Sequence, residues 1–150
     1  MKAVQRFFSF HFSEKSFVLK ASIFLIFIRC AFLILPFSAV RKLLQILTPK
    51  SQHLPQGPKQ RTKENIAWVV EVASRRIRFT DNCLVKALVT HALLKEEGYP
   101  SSLHIGVAKK ETSLFQAHAW IESEGQIVIG APEDDASNFI PLPNLDGILS

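Results

Sequence analysis

The feature that most restricts how this chain can fold is a change of hydrophobic period at Gly98. From Cys83 to Gly98, the residues Leu84, Leu88, Ala92 and the Leu93/Leu94 pair recur every three to four positions, which predicts a strong helix closed by the glycine. Beyond Tyr99 and Pro100 the period becomes two. Leu103, Ile105 and Val107 alternate, and the run reads as a strand. A polar turn from Lys109 to Ser113 leads to a second strand, Leu114 to Glu122, and Ser123-Glu124-Gly125 leads to a third, Gln126 to Ile129. The expected core is therefore α+β, an antiparallel meander following a helix. Another helix should precede it, with Thr62 as its cap, running from Lys63 to about Arg76 and burying Ile66, Val69, Val70 and Ala73. Trp68 is expected at an edge of that core.

Cys83 falls in the first turn of the predicted helix, directly after Thr80-Asp81-Asn82. Unpaired amides and the positive end of the helix dipole favour thiolate at such a position. The bland alternative is a structural thiol, but those normally lie on an apolar face deep within an element. The Cys83 amide could also contribute to an oxyanion hole. His118 lies in the second strand, on one face of the pleat with Gln116, Trp120 and Glu122, while Phe115, Ala117, Ala119 and Ile121 take the other. A strand histidine on its own is usually a satisfied polar residue. A thiol at a helix start with an imidazole on a following strand is, however, an arrangement by which histidine activates cysteine. His91 is eight residues beyond Cys83 on the same helix, too far to reach the thiol, and reads as structural. His104, in the neighbouring strand, has either a surface or a supporting role. His11 and His53 lie outside the core.

The charge distribution divides the chain. Residues 1–65 carry eleven Lys or Arg against two acids, and residues 66–150 carry seven against eleven, so the net +5 joins a +9 segment to a −4 segment. The cations of the first segment flank an apolar stretch instead of interleaving with aromatics in a compact fold, which argues against nucleic acid as a partner. The two cysteines, Cys30 in that stretch and Cys83 in a polar setting, do not suggest a bridge, and a reducing, cytoplasmic compartment is expected. Two cysteines and scattered histidines supply no ligand pair at structural-zinc spacing, and no glycine-rich phosphate loop is present. No metal or cofactor is expected.

From Phe17 to Phe37 the chain is apolar apart from a few positions, with Lys20 and Arg29 interrupting it before a span-length run is reached. The two cations fall on opposite faces of a helix, so no clean polar stripe exists. Three readings compete for residues 17–37: a helix packed on the catalytic domain, a docking surface for another protein, and contact with a membrane surface. Signal-peptidase cleavage is not expected, because Ser38-Ala39-Val40 leads straight into Arg41-Lys42. A second helix is predicted over 37–47, closed by Pro49. The Pro-, Gln- and Lys-rich segment after it has the composition of an exposed linker. The expected organisation is an apolar, basic helical extension over 1–48, a linker over 49–63 and a catalytic domain over 64–150.

Four runs carry a family resemblance: Asn82-Cys-Leu-Val-Lys-Ala-Leu88, Leu93-Leu-Lys-Glu-Glu-Gly-Tyr-Pro100, Leu103-His-Ile-Gly-Val107 and His118-Ala-Trp-Ile-Glu122. In this order and at these spacings, over about Trp68 to Gly130, they resemble the transglutaminase-like leader peptidases, the B proteins, of lasso-peptide biosynthesis. The apolar N-terminal helices are similar to those of the split form of that family. The resemblance implies a transglutaminase-like, papain-like core with its catalytic cysteine at a helix N-terminus packed on an antiparallel sheet. It implies a cysteine peptidase that removes the leader from a precursor peptide, with Cys83 as nucleophile and His118 as base. As partners it implies that precursor, a small separate leader-recognition protein and an ATP-dependent macrolactam cyclase. The family's third catalytic member is an acid about twelve residues beyond the histidine, where this chain has Gly130. Asp134, or Glu133 beside it, is the expected substitute; the alternative is a solvated acidic turn, Glu133 to Asp135. Two rival functions share the fold: acyl transfer to an amine through the same thioester, and a catalytically idle scaffold.

Overall fold

The computed structural model describes residues 12–36, 38–40, 42, 61–77, 82–109, 115–130 and 140–141. The apolar N-terminal stretch forms helix α1 (Phe12–Ile34), whose heptad-like spacing decides how it packs. Phe17, Ala21, Leu25, Ile28 and Ala31, four or three residues apart, are buried in one core with residues of the following helices. Arg61 fastens the helix by placing its guanidinium 4.1 Å from the centre of the Phe17 ring, and Lys20 pairs with Glu96 at 2.5 Å. The opposite face of α1 is apolar as well, with Leu19, Ile23, Phe27, Leu33 and Ile34 exposed. Despite Lys20 and Arg29, the stretch Lys15–Ile34 is long and apolar enough to cross a membrane, a test that the core helix of a soluble protein also passes. Of the helix expected over 37–47, residues 38–40 and 42 are helical and Val40 is buried; the remainder lies outside the described residues, as does the linker expected over 49–63 up to residue 60, while Lys63 is already helical.

Helix α2 (Lys63–Arg76) starts where Thr62 should cap it: the threonine hydroxyl accepts from the Asn65 amide at 3.2 Å. Its expected stripe of Ile66, Val69, Val70 and Ala73 is buried, and Trp68 packs partly buried at the edge. Helix α3 (Cys83–Glu96) is apolar nearly all round, which suits an element enclosed by neighbours on several sides. It packs against α1, α2 and the sheet. Its end is a Schellman motif, with the Tyr99 amide donating to Leu94 O at 2.9 Å and the Gly98 amide to Lys95 O at 3.0 Å.

Strands β1 (Ser102–Lys109), β2 (Phe115–Ser123) and β3 (Gln126–Ile129) form the predicted antiparallel meander. The β2–β3 turn places Glu124 and Gly125 at φ values of 52° and 77°, the primed turn that suits a two-residue hairpin. A further strand, β4 (Ile140–Pro141), pairs with Gly106 and Val107 and gives the sheet order β3-β2-β1-β4. Leu103, Ala119, Ile121 and Ile129 carry the sheet into the common core with the three helices. Three ties close the corner between helix ends and strands. Ser123 donates to Pro100 O at 2.6 Å, Tyr99 donates to Arg61 O at 3.0 Å, and Lys63 pairs with Glu124 at 2.6 Å.

Candidate active site

Cys83 is the first residue of α3, half-buried against the hydrophobic core. Asn82 caps the helix, its side chain accepting from the Leu84 amide at 3.0 Å, so the thiol projects from the first turn of a helix with a formed cap. One turn further on, Lys86 pairs with Glu71 of α2 at 3.3 Å and ties the start of α3 to the preceding helix. The expectation that Cys83 opens a helix and is not embedded within one therefore holds.

His118 lies in β2 opposite Gly106 of β1, and α3 packs against β2. Its Nε2 lies 2.7 Å from the main-chain oxygen of Gly130, immediately after β3. Gly130 has a φ of +77°, and a Cβ placed there would lie 2.6 Å from Ala119 O and 3.1 Å from the Trp120 Cα. A main-chain oxygen thus lies at the imidazole Nε2, on the residue where the resemblance implies an acid. Asp134 and Glu133 lie outside the described residues.

The neighbours of His118 on its strand are built into a polar and aromatic face. His104 stacks on Trp120, its cross-strand partner, with ring centres 5.6 Å apart and planes 16° from parallel, and its Nε2 lies 3.6 Å from Glu122. Alternation places His118 on the same face as Trp120 and Glu122, while Ala119 and Ile121 turn toward the helices. His104 thereby packs on Trp120 and approaches Glu122. His91 is buried within α3, with Nδ1 2.9 Å from the Ser101 hydroxyl; burial, reinforced by the charge of Lys95, lowers its pKa to about 4. It belongs to the packing of the domain. Among the described residues no group of three His, Cys, Asp or Glu is placed to hold a metal ion.

The structure joins His118 to Gly130, and it sets Cys83 at the start of the helix that packs on the histidine strand. The contact of the Gly130 carbonyl with the His118 ring is one that sequence reasoning missed. Its one signal is a glycine directly after an Ile-Val-Ile strand, at the position where an acid was sought.

A helix opened by cysteine, followed by an antiparallel meander that carries histidine, defines the class. The chain belongs to the transglutaminase-like superfamily, whose family model matches residues 24–143, from the middle of α1 to just beyond β4. No curated protein and no solved structure shows a significant match to it.

Proposed function

We propose that this chain is a cysteine peptidase that removes the leader from the precursor of a lasso peptide. The observation that carries the proposal is Cys83 at the capped start of α3, ahead of a histidine strand, in a member of a superfamily that typically includes cysteine peptidases and acyltransferases. The resemblance of the four sequence runs to the lasso B proteins supports a ribosomally made precursor peptide as the substrate.

In the proposed mechanism, the Cys83 proton passes to the His118 imidazole and Sγ attacks the scissile carbonyl, forming a tetrahedral oxyanion near the first amides of α3. Collapse breaks the C–N bond, and the imidazolium gives its proton to the departing amine. The thioester that remains is hydrolysed by water, which the neutral imidazole deprotonates, and Cys83 is released with its proton. The freed amine is the group that a separate ATP-dependent cyclase would join into a macrolactam. In the split form that the N-terminal helices resemble, a small partner protein captures the leader, so cleavage by this chain should require it. The exposed apolar face of α1 remains available to that partner or to a membrane surface, and flotation with anionic vesicles in its presence and absence separates the two.

The test is mass spectrometry of a candidate precursor incubated with this chain and its leader-binding partner. A leader-sized loss is expected with wild type and at least about 10³-fold less with Cys83→Ala, given what loss of a covalent nucleophile costs. Equal cleavage by the variant would refute the proposal. A leader fragment heavier than the hydrolysed leader by the mass of an amine less one water would instead establish acyl transfer. No cleavage by a folded, partner-bound wild type would favour the scaffold role.

A further inference from the structure

We propose that the exposed face of α1 docks on an anionic lipid bilayer, with the helix lying in the plane of the membrane surface. The proposal is independent of the reaction at Cys83.

Both faces of α1 are apolar, and the rest of the domain covers only one of them. Leu25 and Ile28 are fully buried, whereas Leu19, Ile23, Ile26, Phe27, Leu33 and Ile34 remain in water, the last two 74% and 81% exposed. At about 100° per residue these six occupy an arc of roughly 120° on the side opposite Ile28, along about 22 Å of helix. A contiguous apolar stripe of large side chains on a folded protein marks an interaction surface.

The chemistry of the stripe and of its borders favours lipid over a protein partner. Inside the arc the only polar side chain is the exposed Cys30. A protein interface carries about one hydrogen bond per 100–200 Å², and acyl chains call for none. Lys20 and Arg29 stand on opposite sides of the helix, just beyond the two edges of the arc, so they border the apolar stripe and do not break it; Lys15 is exposed at its N-terminal end. Cations so placed rest their stems on apolar surface and carry their charge to the headgroup level. From Lys15 to Lys63 the sequence has nine Lys or Arg and no Asp or Glu, whereas residues 66–150 carry a net −4. Anionic headgroups therefore attract the α1 side of the chain and repel the rest, which orients the approach.

The buried face of α1 settles that the helix lies on the bilayer and does not cross it. The helix is long and apolar enough for a span, but Arg61 sits over the Phe17 ring, Lys20 is paired with Glu96, and the stripe through Leu25 and Ile28 belongs to the domain core. Crossing would strip that core from α2 and α3. Because α1 packs on α2 and α3, and these carry the sheet, the docked face points away from β2. The strand that carries His118 stays on the water side.

The experiment is flotation of the full chain alone with vesicles of phosphatidylglycerol and phosphatidylcholine in equal parts, or of phosphatidylcholine only. The chain should float with the anionic vesicles and bind the neutral ones at least about tenfold more weakly. Ile23→Asp combined with Phe27→Asp, both at exposed positions, should weaken binding to the anionic vesicles at least about thirtyfold. Lys15→Gln combined with Arg29→Gln should weaken it about tenfold. Circular dichroism shows that each variant is folded. A bimane label on Cys30, at the middle of the arc, in a Cys83→Ser background reads depth: its emission should shift to the blue and be quenched by lipids brominated on their acyl chains. A folded chain that does not float, equal binding to neutral vesicles, binding unchanged by the aspartate pair, or a label that brominated lipid leaves unquenched would each overturn the proposal. Self-association abolished by the aspartate pair, without flotation, would assign the face to a second copy of the chain instead.

Discussion

Gly130→Ala is expected to destabilise the fold by about 3 kcal/mol or more, since two penalties act together. A left-handed φ of +77° costs an L-residue about 1–2 kcal/mol, and the new methyl would lie 2.6 Å from the Ala119 carbonyl, a contact that only backbone movement relieves. The Ala119 oxygen belongs to β2, whose neighbours Ala119 and Ile121 are in the core, so movement there disturbs packing on both sides of the strand. Thermal or urea unfolding reads the effect directly, as a fall in melting temperature of roughly 10 °C for a chain of this size. Gly130→Asp should lose at least as much and should not raise activity, even though it writes the missing acid back into the sequence. A Gly130→Ala protein as stable as wild type would show that the close approach at this position is wrong.

Acidification should weaken the fold through His91. Burial, with Lys95 adding to it, holds this group at about 4 in the folded chain, against about 6.5 when unfolded. Between those values the unfolded chain binds a proton that the folded chain does not, so stability rises with pH across that window. The contribution is fully present above pH 6.5 and is lost as pH falls toward 4, by about 3 kcal/mol in total or roughly 1.4 kcal/mol per pH unit. Lys95 opposes protonation directly, and the Ser101 hydroxyl is paired with the Nδ1 of the ring. Urea midpoints at pH 7, 6 and 5 for wild type and His91→Leu measure it. The wild-type midpoint should fall and the variant's should stay nearly level over that range. Parallel curves would mean that His91 is not held neutral by its surroundings.

Much of the fold was open to reading because its elements obey local rules. Thr62 caps α2, Ile66, Val69, Val70 and Ala73 form its buried stripe, Cys83 starts α3, and β3 spans Gln126–Ile129, each from spacing or capping chemistry confined to a few residues. Features that depend on distant partners were not. In α1, Leu25 and Leu33 look alike in sequence, yet one is fully buried and the other is 74% exposed, because only the position of α2 and α3 decides which side is covered. β4 is two residues long and carries no period of its own, so its pairing with Gly106 and Val107 has no sequence signal. At the site, the cysteine and the histidine are legible as side chains with known chemistry. The Gly130 carbonyl at the His118 ring is not, since every residue has a carbonyl and only the turn at Gly130 brings this one to the ring. The expected carboxylate, Asp134, lies outside the described residues.

The central claim, that His118 activates Cys83 as a nucleophile, is tested most directly by the rate of iodoacetamide alkylation at neutral pH. Cys30 is exposed on α1 and would react in its own right, so the comparison belongs in a Cys30→Ser background. With His118 present, Cys83 should alkylate at least about tenfold faster than in His118→Ala, because loss of the base removes thiolate from the equilibrium. Equal rates in the two proteins, with both shown to be folded, would mean that the histidine does not act on the thiol, and the peptidase proposal would fall with it.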